Sequence, residues 1–270
     1  MKLSIVTPKP QTTRKPVLGI YTSKKSQIIF YDTPGILQPK YEMQRLMKSS
    51  IYDSINESDL TAVLIDTSNY KSFENYFPQD FQKFLMNSKI PSIVILNKID
   101  LFENIKQILP IMDDLNKTKI FKHIIPISAL KHSNIEELLN IFEELLPNNP
   151  FLYDPEILST QNERFFVSEI IRENIFNLFQ EEIPYSTEVL INEFKEREIG
   201  KWYISADIIV EKQSQKGIII GSKGNKIKEI GEKSRIQIED HLQMEIFLDL
   251  FVKVREKWRN NKNILKSLGY

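Results

Sequence analysis

The stretch Ser92–Asp100 has the sequence SIVILNKID, a continuous apolar strand that ends at a polar Asn-Lys-Ile-Asp string. Further strand-like apolar runs precede Asp32, Asp66 and Ser128, and stripes of apolar residues at helical spacing lie between them. Buried strands that alternate with helices predict a mostly parallel sheet with helices on both faces. The first half of the chain is therefore expected to be an α/β domain.

Ligands of such sheets bind beyond the carboxyl ends of the strands. Three short strings occupy positions of this kind: DTPG at Asp32–Gly35, NKID at Asn97–Asp100 and SAL at Ser128–Leu130. Their order and spacing are those of a guanine-nucleotide pocket. The candidate GTP-binding residues are Asp32, Thr33, Pro34, Gly35, Ile36, Asn97, Lys98, Ile99, Asp100, Ser128, Ala129 and Leu130.

The NKID string predicts recognition of the base. Asp100 can accept hydrogen bonds from guanine N1–H and the 2-amino group, Asn97 can bond O6 and neighbouring loops, and the Lys98 stem can lie along the base plane. Adenine lacks this donor pair and would leave a buried carboxylate unpaired, which is a strong basis for rejection. In SAL, the backbone N–H of Ala129 can bond guanine O6. Each string alone also fits an ordinary surface strand end, whereas the three together indicate guanine-nucleotide ancestry.

The DTPG string predicts the phosphate end of the pocket. The Asp32 carboxylate can hold Mg2+ through a water, and the N–H of Gly35 can reach a γ-phosphate oxygen. A threonine of the arm Pro8–Lys15 can bind the same Mg2+ as a switch. Thr12 and Thr13 are the candidates, and Thr13 is preferred. The alternative for DTPG is an ordinary Asx-type turn. The alternative for Pro8–Lys15 is a mobile polar arm without a ligand.

The catalytic apparatus departs from the usual pattern. Ile36 follows DTPG, at the position where small GTPases such as Ras carry a water-orienting glutamine. An aliphatic side chain cannot polarise water, so no catalytic residue is assigned and slow intrinsic hydrolysis is expected. No G-x-x-x-x-G-K-[ST] string, which would grip the phosphates, occurs in the sequence. For the chain as written, we expect no tight binding of Mg·GTP.

The composition excludes several classes of protein. The 270 residues suit one large or two modest domains, and 36 basic residues balance 36 acidic ones, so net charge indicates no polyanionic partner. The lack of cysteine excludes disulfides, thiolate metal sites and a cysteine nucleophile, and it fits a reducing cytosol. The apolar runs are far shorter than the ~18–20 residues of a membrane span. We expect neither a membrane span nor export.

A break in the pattern predicts a second domain. Pro147–Pro155 holds three prolines and two asparagines, which indicates a linker. The order after it is helix, strand, strand, helix, helix, strand; the predicted elements lie at 165–179, Tyr185–Phe194, Trp202–Glu211, Ile227–Ile230, Ile236–Leu242 and Phe247–Val254. We predict an α/β domain at 1–147, a linker at 148–162 and an α+β domain at 163–270.

The string Gly221-Ser222-Lys223-Gly224 is a GxxG loop between an apolar strand-like run and a helix. KH domains use such a loop to clamp the backbone of about four single-stranded nucleotides. Basic residues cluster around it, because Lys212–Arg235 carries a net charge of +5 and Lys253–Lys266 another +5. The candidate RNA-binding residues are Gly221, Ser222, Lys223, Gly224, Lys226, Lys228 and Trp258.

Alternatives stay open for these residues too. The GxxG loop also fits a plain tight turn, and Trp258 fits core packing as well as stacking on a base. The strand Phe247–Val254 is expected to be a core strand rather than a base-stacking platform.

A guanine-nucleotide half followed by a KH half resembles the Era family of bacterial GTPases. The resemblance rests on the strings KLSIVTPKPQTTR, DTPGILQPKYEMQ, NKID, SAL, ERFFVSEIIRE, EEIPYS, SQKGIIIGSKGNKIKEIG and DLFVKVREKWR. Der-type GTPases also end in a KH-like domain, but they have two tandem GTPase domains, and one set of motifs occurs here.

The resemblance implies a P-loop GTPase-like α/β domain followed by an α+β type II KH domain. It implies GTP or GDP with Mg2+ as ligands, and 16S rRNA near its 3′ end as the partner during maturation of the 30S subunit in the cytoplasm. Peripheral membrane contact also belongs to what the family implies, although no residue pattern here supports it.

The resemblance further implies a segment before the start of this chain, of about 25–30 residues with a strand, a P-loop and a helix. We therefore expect an N-terminal truncation, with Met1 a mis-called or artificial start. The missing strand would lie between the strands that end at Asp32 and Asp66. Its loss would leave facing rows of unpaired backbone groups, at roughly 1–3 kcal/mol for each buried group, so we expect collapse of the gap or poor folding of the first half.

Two functions therefore compete. One is a GTP-hydrolysing ribosome-assembly factor with an incomplete N-terminus; the other is an RNA-binding protein with a relic, non-catalytic G-domain that does not bind GTP. A GTP-independent scaffold is less favoured, because the guanine-reading residues are intact. An in-frame G-x-x-x-x-G-K-[ST] in the DNA upstream of Met1 would support truncation, and a stop codon immediately upstream would contradict it.

Overall fold

A computed structural model describes residues 3–7 and 9–270; Met1, Lys2 and Pro8, at the start and in the arm discussed above, lie outside the described residues. The strands are β1 Val17–Thr22, β2 Gln27–Asp32, β3 Thr61–Asp66, β4 Ser92–Asn97, β5 Phe121–Pro126, β6 Glu188–Lys195, β7 Trp202–Val210 and β8 Ile246–Val254. The α-helices are α1 Glu42–Asn56, α2 Phe73–Tyr76, α3 Gln79–Asn87, α4 Leu109–Lys117, α5 Ile135–Leu145, α6 Glu163–Leu178, α7 Ile183–Ser186, α8 Gln213–Ile220, α9 Asn225–Leu242 and α10 Lys262–Ser267.

The parallel sheet predicted for the first half is confirmed. Strands β3, β4 and β5 pair in parallel in that order, and β1 with β2 forms an antiparallel hairpin. Strand β4 is buried along nearly its whole length because its side chains alternate between two cores. Val94 and Leu96 pack with α1, α3 and α4, whereas Ile93 and Ile95 pack with α5. The apolar run of β4 thus needs helices on both faces.

The sheet is interrupted between β2 and β3. Strand β2 pairs only with β1, and β3 pairs only with β4, among the strands of the described chain. The predicted unpaired rows are therefore confirmed, but the predicted collapse is not: a cavity of about 430 Å³ remains between the two edges. The ring of Phe30 on β2 meets that of Phe142 on α5 edge-on at 5.6 Å, so α5 helps to keep the hairpin in place.

The second half has a three-stranded sheet in the order β6-β7-β8, with β6 antiparallel and β8 parallel to β7. Helices α6, α8 and α9 cover one face and form the main core with it. Two sequence-based details were wrong. Residues 213–220 form helix α8 rather than a strand-like run, and its buried residues Gln215 and Ile219 lie four positions apart, as on one face of a helix. The two helices predicted after the loop are one continuous helix, α9.

The other face of this sheet is also covered, although β7 carries the polar residues Ser205 and Asp207 on it. Asp207 and Ile209 on that face are buried. Ile209 packs with Met43 and Met47 of α1 and with Trp258 near the C-terminus. This shared core joins the two halves of the molecule.

The predicted linker lies along the hairpin. The backbone N–H of Ile20 donates to the carbonyl of Leu158 at 2.8 Å, and the side-chain amide of Gln27 donates to the carbonyl of Tyr153 at 2.9 Å. No helix of the described chain is both long and apolar enough to span a membrane.

Candidate functional site

The residues predicted to read guanine converge at the carboxyl ends of β4 and β5. The Asn97 side-chain oxygen accepts the backbone N–H of Lys98 at 2.8 Å and of Ala129 at 3.0 Å. The Ser128 hydroxyl donates to Oδ1 of Asp100. Since Ser128 is buried, its hydroxyl fixes the carboxylate while the other oxygen of Asp100 stays available. Two hydrogen bonds thus join the loop after β4 to the loop after β5.

Lys98 is positioned by its backbone conformation and by an ion pair with Asp66. Lys98 adopts the left-handed conformation (φ 70°), and its Nζ lies 2.7 Å from Oδ2 of Asp66 at the end of β3. Partial burial alone would raise the pKa of Asp66, but hydrogen bonds from Lys98 and Ser68 outweigh it and lower the pKa. The ion pair therefore links the carboxyl end of β3 to the loop that follows β4.

Ala129 contacts Asn97 within the chain. Its backbone N–H donates to the Asn97 side-chain oxygen at 3.0 Å, and a bond from this N–H to guanine O6 stays a prediction. The side-chain NH2 of Asn97 makes no hydrogen bond to any described residue and can serve O6. The Leu130 side chain, by contrast, is strongly exposed.

The residues predicted for the phosphate end form a separate pair. The Thr13 hydroxyl donates to Oδ2 of Asp32 at 3.3 Å, whereas the Thr12 hydroxyl donates to the carbonyl of Lys9 at 2.7 Å. The choice of Thr13 over Thr12 therefore agrees with the geometry. No hydrogen bond or ion pair within the described chain joins this pair to the Asn97–Asp100 group.

A metal ion at Thr13 and Asp32 would need further ligands. The part of the chain that the structure describes has no cluster of three or more acidic, histidine or cysteine side chains able to hold a metal. Mg2+ commonly binds through one or two protein oxygens together with water and phosphate oxygens. A hydroxyl beside a carboxylate fits this mode of binding, in which the nucleotide brings the remaining ligands.

The GxxG loop connects α8 to α9. Gly221 has φ 73° and ψ 177°, a region open in practice only to glycine, and Gly224 is left-handed at φ 79°. The turn places Lys223 at φ 52° directly before the N-terminus of α9. Lys223 has no ion pair within the described chain, whereas Lys226 pairs with Glu229 at 3.0 Å and Lys228 with Glu232 at 3.8 Å. Of these three lysines, Lys223 is therefore the most available to a phosphate.

The prediction that Trp258 stacks on a base was wrong. Trp258 is fully buried, and its indole N–H donates to the carbonyl of Ser186 at 3.1 Å. It packs against Met43 and Met47, so the alternative of core packing is the correct one. The strand predicted at Phe247–Val254 does contribute to the core, since Val252 is buried there, while Phe247 on its other face is 56% exposed.

Sequence reasoning missed the contact between the arm that carries Thr13 and the sheet of the second half. The Arg14 guanidinium is buried and donates to the carbonyls of Thr187 at 2.7 Å and Pro184 at 2.8 Å. It also pairs with Glu188 at 3.1 Å, and the Tyr270 hydroxyl donates to the same carboxylate at 2.5 Å. No local pattern distinguishes Arg14 from a solvated arginine, because its partners lie about 170 positions away.

Helix α1, which follows DTPG, contacts the same half. The Arg259 guanidinium lies 4.5 Å from the centre of the Tyr41 ring, and the backbone N–H of Glu42 donates to Asn260 at 3.2 Å. Both segments that flank the predicted phosphate end are thus bonded to the second half.

Comparisons with known proteins agree with this two-part organisation. The KH domain family matches residues 182–259, and a family described as 50S ribosome-binding GTPase matches residues 1–98. GTPase Era of Geobacter sp. (strain M21) is 41% identical over 269 residues, which span 100% of this chain and 89% of that protein. GTPase Era of Clostridium botulinum (strain Langeland) is 40% identical, with 100% and 90% covered.

Solved structures show the same fold. A crystal structure of Era in complex with MgGDPNP and nucleotides 1506–1542 of 16S ribosomal RNA superimposes with a TM-score of 0.95 at 35% identity, over 100% of this chain and 91% of that one. A crystal structure of a single-residue variant of Aquifex aeolicus Era bound to GDP and AlF4− gives a TM-score of 0.94 at 35% identity, with the same coverage.

Proposed function

This chain belongs to the Era family of GTPases, and on that basis we propose that it is a guanine-nucleotide-binding and RNA-binding switch protein of small ribosomal subunit assembly. Its relative was crystallised with MgGDPNP and 16S rRNA. By the same reasoning its partners are 16S rRNA and the 30S subunit, and its place is the cytoplasm. The domain bounds we propose are 1–147 for the GTPase part, 148–162 for the linker and 163–270 for the KH part.

The observation that carries the guanine assignment is the preformed base site. Ser128 holds Asp100, and Asn97 holds the loop of Ala129, through contacts within the chain alone. A carboxylate that is already oriented loses little entropy when it accepts the N1–H and 2-amino group of guanine. Thr13 and Asp32 are the proposed protein contacts of Mg2+, and Lys223 is the main proposed phosphate contact of the RNA.

Base recognition can be tested directly with GDP and ADP. We expect the wild-type chain to show GDP binding that exceeds ADP binding, measured by ligand-detected NMR, which resolves millimolar affinities. Asp100→Ala should abolish the preference, because it removes the only acceptor of the guanine donor pair. Asp113→Ala, on the exposed side of α4, is the matched control and should retain it. Equal binding of GDP and ADP by the wild type would contradict the assignment.

Triphosphate binding is a separate matter. The printed sequence has no G-x-x-x-x-G-K-[ST] string, and that loop supplies most of the phosphate contacts in related enzymes. We propose that this chain as printed binds Mg·GTP weakly and, with Ile36 in place of a glutamine, hydrolyses it slowly. Calorimetry should show no micromolar affinity. A micromolar dissociation constant would refute this part while leaving the base site intact.

RNA binding is tested by the GxxG loop. A short single-stranded RNA from the 3′ end of 16S rRNA should bind the wild type, and charge reversal by Lys223→Glu or replacement of Gly221 and Gly224 by Asp should abolish binding in a fluorescence anisotropy titration. Lys122→Glu, exposed on β5, is the control for net charge and should bind as the wild type does. Unchanged binding by the loop variants would remove the KH assignment.

A second candidate is an RNA-binding protein whose GTPase part is a relic. The unpaired edges of β2 and β3 beside Asp32 favour it, since the sheet at the phosphate end is incomplete among the described strands. Retained RNA binding together with no guanine preference would select this function over the first.

A further inference from the structure

The sheet of the second half has one face that is only partly covered, the face turned away from α6, α8 and α9. We call it the outer face, and on β7 and β8 it carries Tyr203, Ser205, Asp207, Ile209, Phe247, Asp249, Phe251 and Lys253. Ile209 packs with α1 and Trp258, whereas Phe247 and Phe251 are 56% and 45% exposed. The uncovered part of the outer face therefore adjoins the contact between the two halves.

Asp207 on the outer face is a buried acidic residue without a partner. The residue is 8% exposed, and its Oδ1 is buried with no hydrogen-bond partner in the described chain. Its neighbours across the sheet are Leu190 on β6 and Phe251 on β8, and neither side chain offers a donor. Because a buried carboxylate without a donor or a counter-ion is strongly unfavourable, a cation from outside the chain would stabilise it.

Aromatic rings lie beside this carboxylate. Tyr203 and Phe247 are paired across β7 and β8, and their nearly parallel rings are 6.0 Å apart. The Nζ of Lys253 lies 5.6 Å from the centre of the Phe251 ring, and the Nζ of Lys195 lies 5.7 Å from that of Tyr203. Rings of this face thus already accept cations from the chain itself. An arginine guanidinium uses both kinds of surface, since it stacks on rings and forms forked hydrogen bonds with carboxylates.

A second carboxylate gives the site a spacing. Asp249 lies on β8 two residues before Phe251, diagonal to Asp207, and one of its oxygens accepts the Tyr203 hydroxyl at 3.2 Å. With strands about 4.8 Å apart and a rise of about 6.6 Å over two residues, the two acidic positions are roughly 8 Å apart. An extended Arg-x-Arg segment holds its arginines about 6.6 Å apart on one face, a difference that long side chains accommodate.

We propose that the outer face is a docking surface for a basic protein segment that carries arginines in an Arg-x-Arg arrangement. One guanidinium pairs with Asp207 and lies against Phe251, and the other pairs with Asp249 and lies against Phe247. Single-stranded RNA also stacks on exposed rings, but here its phosphates would lie beside two carboxylates. A bare metal ion would leave the rings uncovered. This docking surface is additional to the proposed guanine and RNA sites and depends on neither.

The probe is a fluorophore-labelled peptide, Gly-Gly-Arg-Gly-Arg-Gly-Gly, and its matched control has citrulline in place of both arginines. Citrulline keeps the length and the planar end of the side chain but removes the charge. We expect saturable one-to-one binding of the arginine peptide to the full chain by fluorescence anisotropy. The citrulline peptide should bind at least about tenfold more weakly, because the buried carboxylate then has no counter-ion.

Three variants locate the site. Asp207→Asn removes the charge at nearly constant volume and should weaken binding of the arginine peptide at least about tenfold. Asp240→Asn, at an exposed residue of α9, is the matched control and should bind as the wild type does. Lys253→Met removes a like charge beside the site and should strengthen binding of the arginine peptide.

Asp207→Asn also tests the free chain. Because the carboxylate has no partner within the described chain, the variant without peptide should unfold at a higher urea concentration than the wild type. A lower midpoint would show that the carboxylate already has a partner, and it would overturn the proposal.

The proposal would also be overturned by equal binding of the two peptides, by unchanged binding to Asp207→Asn, or by weaker peptide binding to Lys253→Met. RNA as the occupant has its own signature: a Lys223→Glu chain would still bind hexauridine, and Lys253→Met in addition would abolish that binding. This result too would overturn the proposal. The peptide readouts use neither guanine nor the GxxG loop, so failure here and failure of the proposed function are distinguishable.

Discussion

Glu188 is the residue through which the arm of the first half contacts the second. Its buried carboxylate accepts hydrogen bonds from Arg14 at 3.1 Å and from Tyr270 at 2.5 Å. Burial alone would raise the pKa of Glu188, but the charges of Lys15, Arg14 and Arg172 outweigh it and hold the pKa at about 2. The carboxylate therefore stays ionised well below pH 4.5, the ordinary pKa of a glutamate.

This lowered pKa predicts a loss of stability in acid. The unfolded chain binds the proton near pH 4.5, so the contribution of Glu188 is complete above that pH and is lost as the pH falls towards about 2. At ~1.4 kcal/mol per pKa unit it amounts to at most about 3 kcal/mol. In urea unfolding, the advantage of the wild type over Glu188→Gln should shrink across this window.

Glu193→Gln is the matched control for that experiment, because Glu193 lies on the same strand but is exposed and, among the described residues, forms an ion pair with Lys195 alone. Its effect should stay within about 0.5 kcal/mol at every pH. An advantage over Glu188→Gln that is independent of pH would show that the carboxylate is not the stabilising group.

At the scale of elements, the turn between α8 and α9 shows why two glycines of one motif are not equivalent. A Cβ on Gly221 would lie 2.8 Å from Cγ and 3.0 Å from the backbone N of Lys226. A Cβ on Gly224 would meet no atom within 4 Å. Gly221 is thus required by the fold of the turn, whereas Gly224 leaves room over the loop.

We predict different costs for the two alanine variants in the absence of RNA. Gly224→Ala should lower the free energy of unfolding by about 1–2 kcal/mol, the cost of a left-handed non-glycine residue. Gly221→Ala should cost more, since strain of about 1–3 kcal/mol adds to the steric overlap with Lys226. Urea unfolding measures both values, and equal costs would contradict the geometry of the turn.

At the scale of the whole molecule, the arm before β1 and helix α1 are both bonded to the sheet of the second half. Arg14 and Glu188 form the buried polar contact, and Met43, Met47 and Trp258 form the apolar one. Thr13, a proposed Mg2+ contact, lies next to Arg14 in the chain. We therefore expect that a change at the Thr13–Asp32 end would be felt at the interface with the KH half.

Removal of Arg14 should uncouple the halves. Arg14→Met leaves the Glu188 carboxylate buried with one partner fewer, which costs about 3–5 kcal/mol, and we expect one thermal transition to separate into two in calorimetry. The double variant Arg14→Met/Glu188→Leu should recover part of the loss. Arg45→Met, at an exposed arginine of α1, should leave a single transition. A single transition in Arg14→Met would contradict this role.

Local pattern was enough for much of this molecule. The alternation of strands and helices, the hairpin, the position of NKID and SAL at strand ends and the glycines of the GxxG loop follow from periodicity and backbone chemistry, which act over a few residues. The strand-like interpretation of residues 217–220 failed because a run of three isoleucines is too short for its period to be read.

The sequence by itself determined the two fold classes and the place of the candidate guanine-reading residues at strand ends, because strand periodicity and short motifs are properties of neighbouring positions. Only the tertiary structure decided that Trp258 is core, that Ala129 bonds Asn97, that Arg14 is buried on Glu188 and that a cavity separates β2 from β3. Each of these depends on residues far apart in the chain, whose contacts are set by how whole sheets and helices pack.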